Sequence, residues 1–216
     1  MTAPPGTSDL PRTVAVLLAA GAGTRLGRGT KALLPHAGRT LAEHVADVLR
    51  AGGCDEVVVV LGAQARQVRD AARWDASRVR VVVNDAWATG MASSLRAGVA
   101  AALEPRDGVP TGRLVVAHVD QPGVRPDDVA RLLAAHRPGR IAVSRWADAA
   151  APGPGRPRWA HPLVLDAALA GPAAASATGD AGARDFLRAH ADLIDVVVHP
   201  GDGRDVDTEA DLDLLT

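Results

Sequence analysis

Residues 14–35 read VAVLLAAGAGTRLGRGTKALLP, and this stretch decides the fold class of the chain. An apolar run typical of a buried strand leads directly into a glycine-rich loop, Gly21–Gly27. Glycine lets backbone N–H groups approach a ligand closely, because a Cβ would block the approach and a positive φ would be costly. Strand-to-loop junctions of this kind bind phosphate groups in α/β proteins. Arg25 and Lys31 add full positive charges, so the pattern predicts a nucleotide-binding loop.

Strand-like and helical patterns alternate along the rest of the chain. The predicted strands are residues 13–19, 56–61, 79–83, 113–119, 140–144 and 193–198. The predicted helices are residues 40–52, 64–73, 91–103, 126–136 and 181–190. Several strands are continuous runs of valine, leucine and isoleucine, as in strands buried on both faces of a parallel sheet. We therefore expect an α/β fold, a three-layer α/β/α sandwich with a mostly parallel, Rossmann-like sheet.

The length and composition fit one domain. The chain has 216 residues, of which 47% are hydrophobic, and it contains no segment rich enough in linker residues to separate two cores. We expect a single domain over residues 13–216, preceded by a flexible tail over residues 1–12 that holds three prolines. Residues 147–158, rich in alanine, proline and glycine, are expected to form a mobile loop. This loop is either a lid over an acceptor site or a plain exposed insertion.

Charge and cysteine content exclude several classes of protein. The formal net charge of −1 gives no sign of the positively charged surface that binds nucleic acid or an anionic membrane. The N-terminal residues lack the basic and apolar regions of a signal peptide, and no apolar run approaches the roughly 18 residues that cross a membrane. Cys54 is the only cysteine, so an intrachain disulfide is excluded. We expect a soluble cytoplasmic protein with no nucleic-acid or membrane partner.

The glycine loop differs from two common nucleotide-binding motifs. A Rossmann fingerprint has the spacing G-x-G-x-x-G and an acidic residue at the end of the second strand. Here three residues separate Gly23 from Gly27, and the second predicted strand ends in Leu61 and is followed by Gly62-Ala63-Gln64, without an acid. A P-loop sequence is also absent. The missing acid argues against a dinucleotide-binding oxidoreductase, which is kept as an alternative together with a noncatalytic nucleotide-binding module.

Six patterns along the chain resemble those of one family. The sequence LAAGAGTRLGRGTKALLP at 18–35 is similar to the signature of the MobA-like nucleotidyltransferases, and Ala20 resembles the branch of molybdenum cofactor cytidylyltransferases. The other patterns are NDAWATGMASSLR at 84–96, DQP at 120–122, AHP at 160–162, GDAGAR at 179–184 and DVDT at 205–208. Because they occur in the order of the family, together they are stronger evidence than any one alone.

This resemblance implies a function. It implies a nucleotidyltransferase fold and a Mg²⁺-dependent transfer of CMP from CTP to the phosphate of molybdenum cofactor (molybdopterin), with release of pyrophosphate. A molybdenum hydroxylase apoenzyme is the partner protein that it implies. A guanylyl- or other nucleotidyltransferase acting on a different phosphorylated acceptor is the alternative, because Ala160 stands where the family has glycine.

The resemblance also assigns roles to single residues. The expected catalytic residues are Arg25, Lys31 and Asp120. The expected nucleotide-binding residues are Ala19, Ala20, Gly21, Ala22, Gly23, Thr24, Arg25, Lys31, Gly90, Ser93 and Ser94. The expected acceptor-binding residues are His161, Asp180 and Arg184. For His161 a purely structural role, and for Ser93 a helix cap, are the opposing interpretations.

Two aspartates are expected to hold the metal ion. Asp120 follows a predicted strand, and Asp207 follows a strand and a glycine-rich turn. Ligands bind at the carboxyl edge of the sheet in such folds, and two carboxylates can hold Mg²⁺ together with water. The opposing interpretation is that each aspartate is an ordinary turn or cap residue.

Overall fold

The computed structural model describes residues 12–106, 108–149 and 159–215. Within these ranges the strands are β1 (Arg12–Ala19), β2 (Pro35–His36), β3 (Arg39–Thr40), β4 (Glu56–Leu61), β5 (Val79–Val83), β6 (Thr111–His118), β7 (Ile141–Trp146), β8 (Ala160–Asp166) and β9 (Ile194–His199). The helices are α1 (Leu41–Ala51), α2 (Ala65–Ala71), α3 (Met91–Leu103), α4 (Pro126–Ala135), α5 (Ala167–Ser176) and α6 (Arg184–Ala189). Most of the predicted tail and of the predicted loop 147–158 lies outside the described residues.

The main sheet has the strand order β5-β4-β1-β6-β8-β7-β9 among the residues that the structure describes. Strand β8 runs antiparallel to both of its neighbours, and every other pairing is parallel. Helices α1 and α4 cover one face of the sheet, and α3 and α5 cover the other. The expectation of a three-layer α/β/α sandwich with a mostly parallel sheet is therefore confirmed.

The central strands are buried on both faces, as their sequences predict. All six residues of β4 are buried, and so are the last seven residues of β1. Helix α3 packs closely over these strands because Gly98 has no side chain. A Cβ at Gly98 would lie 2.4 Å from Cγ1 of Val16 and 2.8 Å from Cγ2 of Val60. The helix–sheet distance that shapes this half of the core therefore depends on this glycine.

Four elements were not among the predicted strands and helices: the two-residue strands β2 and β3, strand β8 and helix α5. Strand β8 lies in a largely apolar run, AHPLVLD, and α5 follows it directly. Helix α5 escaped prediction because its sequence is almost entirely small and apolar, so it has no amphipathic period, and because it contains Pro172. The assignment of Arg12 to the tail was wrong, because Arg12 begins β1 and forms an ion pair with the buried Glu56.

The parallel strands direct four loops to one edge of the sheet. The glycine loop follows β1, residues 62–64 follow β4, Asn84 follows β5, and Asp120 follows β6 shortly after His118. Because these strands run in the same direction, the loops meet at their carboxyl ends, where α/β folds bind ligands. None of the helices in the described part of the chain is both long enough and apolar enough to span a bilayer.

Candidate active site

A cleft of about 1280 Å³ opens at this edge of the sheet. Of the predicted site residues, those that line it are Ala20, Gly21, Ala22, Gly23, Thr24, Arg25, Lys31, Gly90, Ser94, Asp120, His161, Asp180, Arg184 and Asp207. Ala19 and Ser93 do not line it. Ala19 is the last residue of β1, and its side chain is packed in the core. Residues far apart in the sequence thus share one cavity large enough for a nucleotide and a second substrate.

The glycine loop folds back on itself at Gly23. This residue has a φ of 64°, and a Cβ there would lie 2.0 Å from the carbonyl oxygen of Gly29. The amides of Leu26 and Gly27 donate to the Gly23 carbonyl at 3.1 and 3.2 Å. Glycine is therefore required at position 23 by conformation and by space.

Positive and negative side chains meet at the base of the loop. Lys31 Nζ donates to Oδ2 of Asp120 at 2.9 Å and to Oδ1 of Asp207 at 2.5 Å. Arg25 Nη1 lies 3.2 Å from the other carboxylate oxygen of Asp207. Burial acts against the charged form of Lys31, but the two carboxylates outweigh it and raise the pKa of Lys31 above its usual value. The ammonium is therefore fully charged at neutral pH.

The loop that carries Asp207 is fastened to the strand end that carries Asp120. The amide of Val206 donates to the Asp120 carbonyl at 2.8 Å, and Val206 is fully buried. Farther back, Gly203 lies directly against the indole of Trp146, where a Cβ would come within 2.1 Å of Cδ1. The two carboxylates are thus held at a fixed separation by backbone contacts and not only through Lys31.

The two carboxylates have the donor chemistry that suits a divalent cation. Oδ1 of Asp120 is buried and has no hydrogen-bond partner, which is costly for a carboxylate oxygen and is relieved by a bound cation. No group of three or more His, Cys, Asp or Glu side chains within the described ranges is arranged to enclose a metal ion. The lysine ammonium lies between Asp120 and Asp207 instead. Two carboxylates completed by phosphate oxygens and water match the preference of Mg²⁺.

Asp205 is a third carboxylate of the cleft, which the sequence analysis had not selected. It keeps contact with solvent, but loss of surrounding water, together with the charge of Asp120, raises the pKa of Asp205 to about 6. The signal for it was present in the DVDT pattern. Alternate residues of an extended chain point to the same side, so the buried Val206 directs both of its aspartate neighbours toward the cleft.

Replacing Asp205 by asparagine should stabilise the protein at pH 7.5 and not at pH 4. A folded-state pKa of about 6, above the usual aspartate value of 3.8, means that this carboxyl loses its proton at lower pH in the unfolded chain than in the folded protein. The charged carboxyl of Asp205 therefore lowers the free energy of unfolding above pH 6. Below pH 3.8 the carboxyl is protonated in both states, and this loss of stability is absent. Thermal denaturation at both pH values, with Asp127→Asn as a surface control, measures the difference. An equal gain at both pH values would contradict the assignment.

The loop before α3 is held by a buried amide. Asn84 Nδ2 donates to Oγ of Ser93 at 2.8 Å and to Oγ of Ser94 at 3.0 Å, and Ser93 Oγ also lies 2.9 Å from the Gly90 carbonyl. Because the Ser93 hydroxyl is hydrogen-bonded within the loop, this side chain supports the wall of the cleft and is not turned toward a bound nucleotide base. Ser94 reaches the cleft lining. Asn84 is a supporting residue that the sequence analysis quoted within a motif but gave no role.

The GDAGAR segment packs against the start of α3. Asp180 Oδ1 accepts a hydrogen bond from the Met91 amide at 3.2 Å, and the Gly179 carbonyl accepts one from the Ala92 amide at 2.9 Å. A Cβ at Gly90 would lie 2.6 Å from the carbonyl carbon of Gly179. Asp180 therefore satisfies a free amide at a helix N-terminus, in addition to lining the cleft.

Two stacked histidines, His118 and His161, line another part of the cleft. The rings of His118 and His161 lie 3.9 Å apart at 25°. Burial is the main cause that holds the pKa of His161 well below its usual value, and the nearby His118 and Arg184 lower this pKa further. The imidazole of His161 is therefore neutral at pH 7. His118, which the sequence analysis did not single out, lines the cleft, and its Nε2 is buried without a hydrogen-bond partner.

The chain is similar to known proteins over nearly its whole length. The profile of the MobA-like NTP transferase domain matches residues 15–193. The nicotine blue oxidoreductase of Paenarthrobacter nicotinovorans is 48% identical over 205 residues, which cover 94% of this chain and 96% of that protein. The crystal structure of Rv0371c from Mycobacterium tuberculosis H37Rv is 29% identical with a TM-score of 0.74, covering 96% of this chain and 99% of that one. A structure of Rv0371c in complex with manganese is 28% identical with a TM-score of 0.70, covering 94% and 98%.

Proposed function

Because this chain belongs to the family of MobA-like NTP transferase domains, we propose that it transfers CMP from CTP to the phosphate of molybdenum cofactor (molybdopterin), with release of pyrophosphate. The observation that carries the proposal is the cluster of Lys31, Asp120 and Asp207 at the base of the glycine loop. It places a fixed ammonium and a pair of carboxylates beside the loop that would hold the triphosphate. A molybdenum hydroxylase apoenzyme is the proposed recipient of the product.

The reaction needs positioning and charge more than covalent chemistry. A phosphate oxygen of the acceptor attacks the α-phosphorus of CTP in line, a new P–O bond forms, and the bond to the β-phosphate breaks. The attacking phosphate is already an anion, so no side chain has to create the nucleophile. Arg25 and Lys31 bind the triphosphate and neutralise the charge that develops on the leaving pyrophosphate. Binding both substrates in one cleft provides the orientation.

Mg²⁺ is the proposed cofactor. The relative from M. tuberculosis has a structure in complex with manganese, which supports a divalent cation in this fold, and the oxygen-only donor set of Asp120 and Asp207 is suited to Mg²⁺. When bound, Mg²⁺ supplies positive charge to the phosphate oxygens. Among the described residues, those two carboxylates are the groups that would hold it.

The two substrates occupy different walls under this proposal. Ser94 and the backbone around Gly90 lie where the base of CTP would be selected, on the side of α3. His161 and the nearby Arg184 would contact the acceptor, and so would Asp180, which lines the cleft beside the start of α3. The neutral imidazole of His161 can offer a hydrogen bond without placing a charge beside a flat ring system.

Pyrophosphate release from each of the four NTPs with Mg²⁺, with and without molybdenum cofactor, tests the proposal. We expect release with CTP, and only when the cofactor is present. A clear preference for GTP would contradict the choice of CTP and favour the guanylyltransferase alternative. Binding of Mg-CTP without turnover with any phosphorylated acceptor would favour a noncatalytic module instead.

An oxidoreductase is the second candidate, because the relative that is 48% identical to this chain carries that name. The structure offers no acid for a nucleotide ribose at the end of β4, where Gly62-Ala63-Gln64 follows Leu61, and Gln64 is already bound to the glycine loop. Mixing the protein with NAD(P)H, with and without nicotine blue, distinguishes the two functions. Enhanced cofactor fluorescence together with substrate-dependent NAD(P)H oxidation would favour the oxidoreductase.

A further inference from the structure

Residues 62–64, which we call the brace, contact both ends of the glycine loop. The amide of Ala63 donates to the Ala20 carbonyl at 2.9 Å, where the loop leaves β1. Oε1 of Gln64 accepts a hydrogen bond from the Thr30 amide at 2.9 Å, one residue before Lys31. The brace therefore holds the entry and the exit of the loop together from a neighbouring strand end.

The brace has little conformational freedom. A Cβ at Gly62 would lie 2.5 Å from Cβ of Trp87 and 2.8 Å from the Ala20 carbonyl oxygen. Gln64 has a φ of 53°, a left-handed conformation that is uncommon and costly for a residue with a side chain. Such strain persists only where the surrounding structure enforces it, and here it directs the Gln64 side chain toward the loop.

The orientation of the Gln64 amide follows from its two partners. Its Nε2 donates to Oε1 of Gln67 at 2.6 Å, which leaves its oxygen for the Thr30 amide. Thr30 is 1% exposed, so its N–H needs a protein acceptor. At Gly29, whose φ is 80°, a Cβ would lie 2.8 Å from Oε1 of Gln64, so the loop approaches this side chain as closely as glycine permits.

The position of Lys31 depends on two kinds of restraint. In this structure its ammonium is held by Asp120 and Asp207. Under the proposed nucleotidyl transfer, on which this inference rests, those carboxylates serve another cation and the ammonium pairs with phosphate oxygens. The ion pairs are then given up, whereas the hydrogen bond from Thr30 to Gln64 remains. We propose that Gln64 is a positioning residue, which places Lys31 for the leaving pyrophosphate through the backbone at Thr30.

Three substitutions at Gln64 test this role. Gln64→Leu removes the acceptor oxygen, and Gln64→Glu keeps one. Gln64→Gly removes the side chain but also relieves the left-handed backbone, which offsets part of the stability lost when the Thr30 amide has no acceptor. We expect kcat to fall about 10-fold in the Leu and Gly variants with a change in KM for CTP of less than about 3-fold, since a small misplacement near the reacting atoms affects the rate more than binding. Gln64→Glu should recover most of the rate.

A second readout is independent of activity. Hydrogen exchange of the Thr30 amide, followed by NMR without ligand, should be faster in the Leu and Gly variants and close to wild type in Gln64→Glu. Arg66→Leu is the matched control, because this neighbouring side chain is 95% exposed and does not touch the loop, and it should change neither measurement. Unchanged exchange in Gln64→Gly, or faster exchange with a wild-type kcat, would overturn the inference.

The two proposals fail in different ways. If the wild-type protein transfers CMP to no acceptor, the proposed function is wrong, and the affinity for pyrophosphate then replaces kcat as the measure of Lys31 placement. In that case weaker pyrophosphate binding by Gln64→Leu and Gln64→Gly, with recovery in Gln64→Glu, supports the positioning role. Equal binding by all four proteins overturns it.

Discussion

Replacing Asp120 by alanine is expected to lower kcat for CMP transfer by about 100-fold or more, the loss typical of removing a main electrostatic group. Asp120 provides the carboxylate oxygen that is buried without a partner, and it also holds Lys31 at 2.9 Å. Its removal therefore affects the proposed cation site and, in the protein without ligand, the placement of the ammonium. The measurement is pyrophosphate release at saturating CTP and Mg²⁺, for the wild type and the variant.

Two controls make this result specific to the carboxylate. Asp120→Asn keeps the shape of the side chain but removes its charge, so it should show a similar loss. Asp127→Ala removes an exposed acid from the first turn of α4 and should leave the rate unchanged. A near-normal rate in Asp120→Ala would contradict the metal assignment.

Replacing Lys31 by alanine is expected to change catalysis and metal binding in opposite directions. The turnover number should fall by about 100- to 1000-fold, with a smaller change in KM, because the ammonium acts on charge that develops as pyrophosphate leaves. In the absence of nucleotide, the variant should bind Mn²⁺ or Mg²⁺ more tightly than the wild type. The reason is that Asp120 and Asp207 no longer have a positive side chain between them.

Steady-state kinetics and titration calorimetry measure the two effects. Arg28→Ala is the matched control, since this cation is more than half exposed and lies 3.5 Å from Glu209 at the surface. An effect of Lys31→Ala confined to KM would make Lys31 a docking residue only. Metal affinity equal to that of the wild type would show that the ammonium does not compete for the carboxylates.

Most of the sheet could be predicted because its strands are continuous apolar runs. The strands β1, β4 and β5 were placed within one residue of their ends, since buried parallel strands leave an unbroken valine signal. Helix α5 could not be predicted, because a run of alanines shows no polar face and Pro172 argues against a helix. Nor could the antiparallel direction of β8, because direction depends on pairing partners that the run AHPLVLD does not reveal.

The candidate site was predicted as a set of residues but not as a set of contacts. The patterns selected Lys31, Asp120 and Asp207, which the structure brings together. They could not reveal that the hydroxyl of Ser93 turns into its own loop, because that depends on the buried amide of Asn84. The roles of the individual residues stay predictions until the variants are measured.

The ion pair between Lys31 and Asp207 also has a consequence for the order in which the protein becomes functional. These residues are 176 positions apart in the chain. At ordinary translation speeds, roughly 10 to 35 seconds pass between the synthesis of the first and of the second. During that time β1, β4 and β6 are already available to pair, yet the glycine loop has only one of its two carboxylate partners. A nascent chain can thus acquire its central sheet well before it acquires a complete cleft, and catalysis must wait for the final loop.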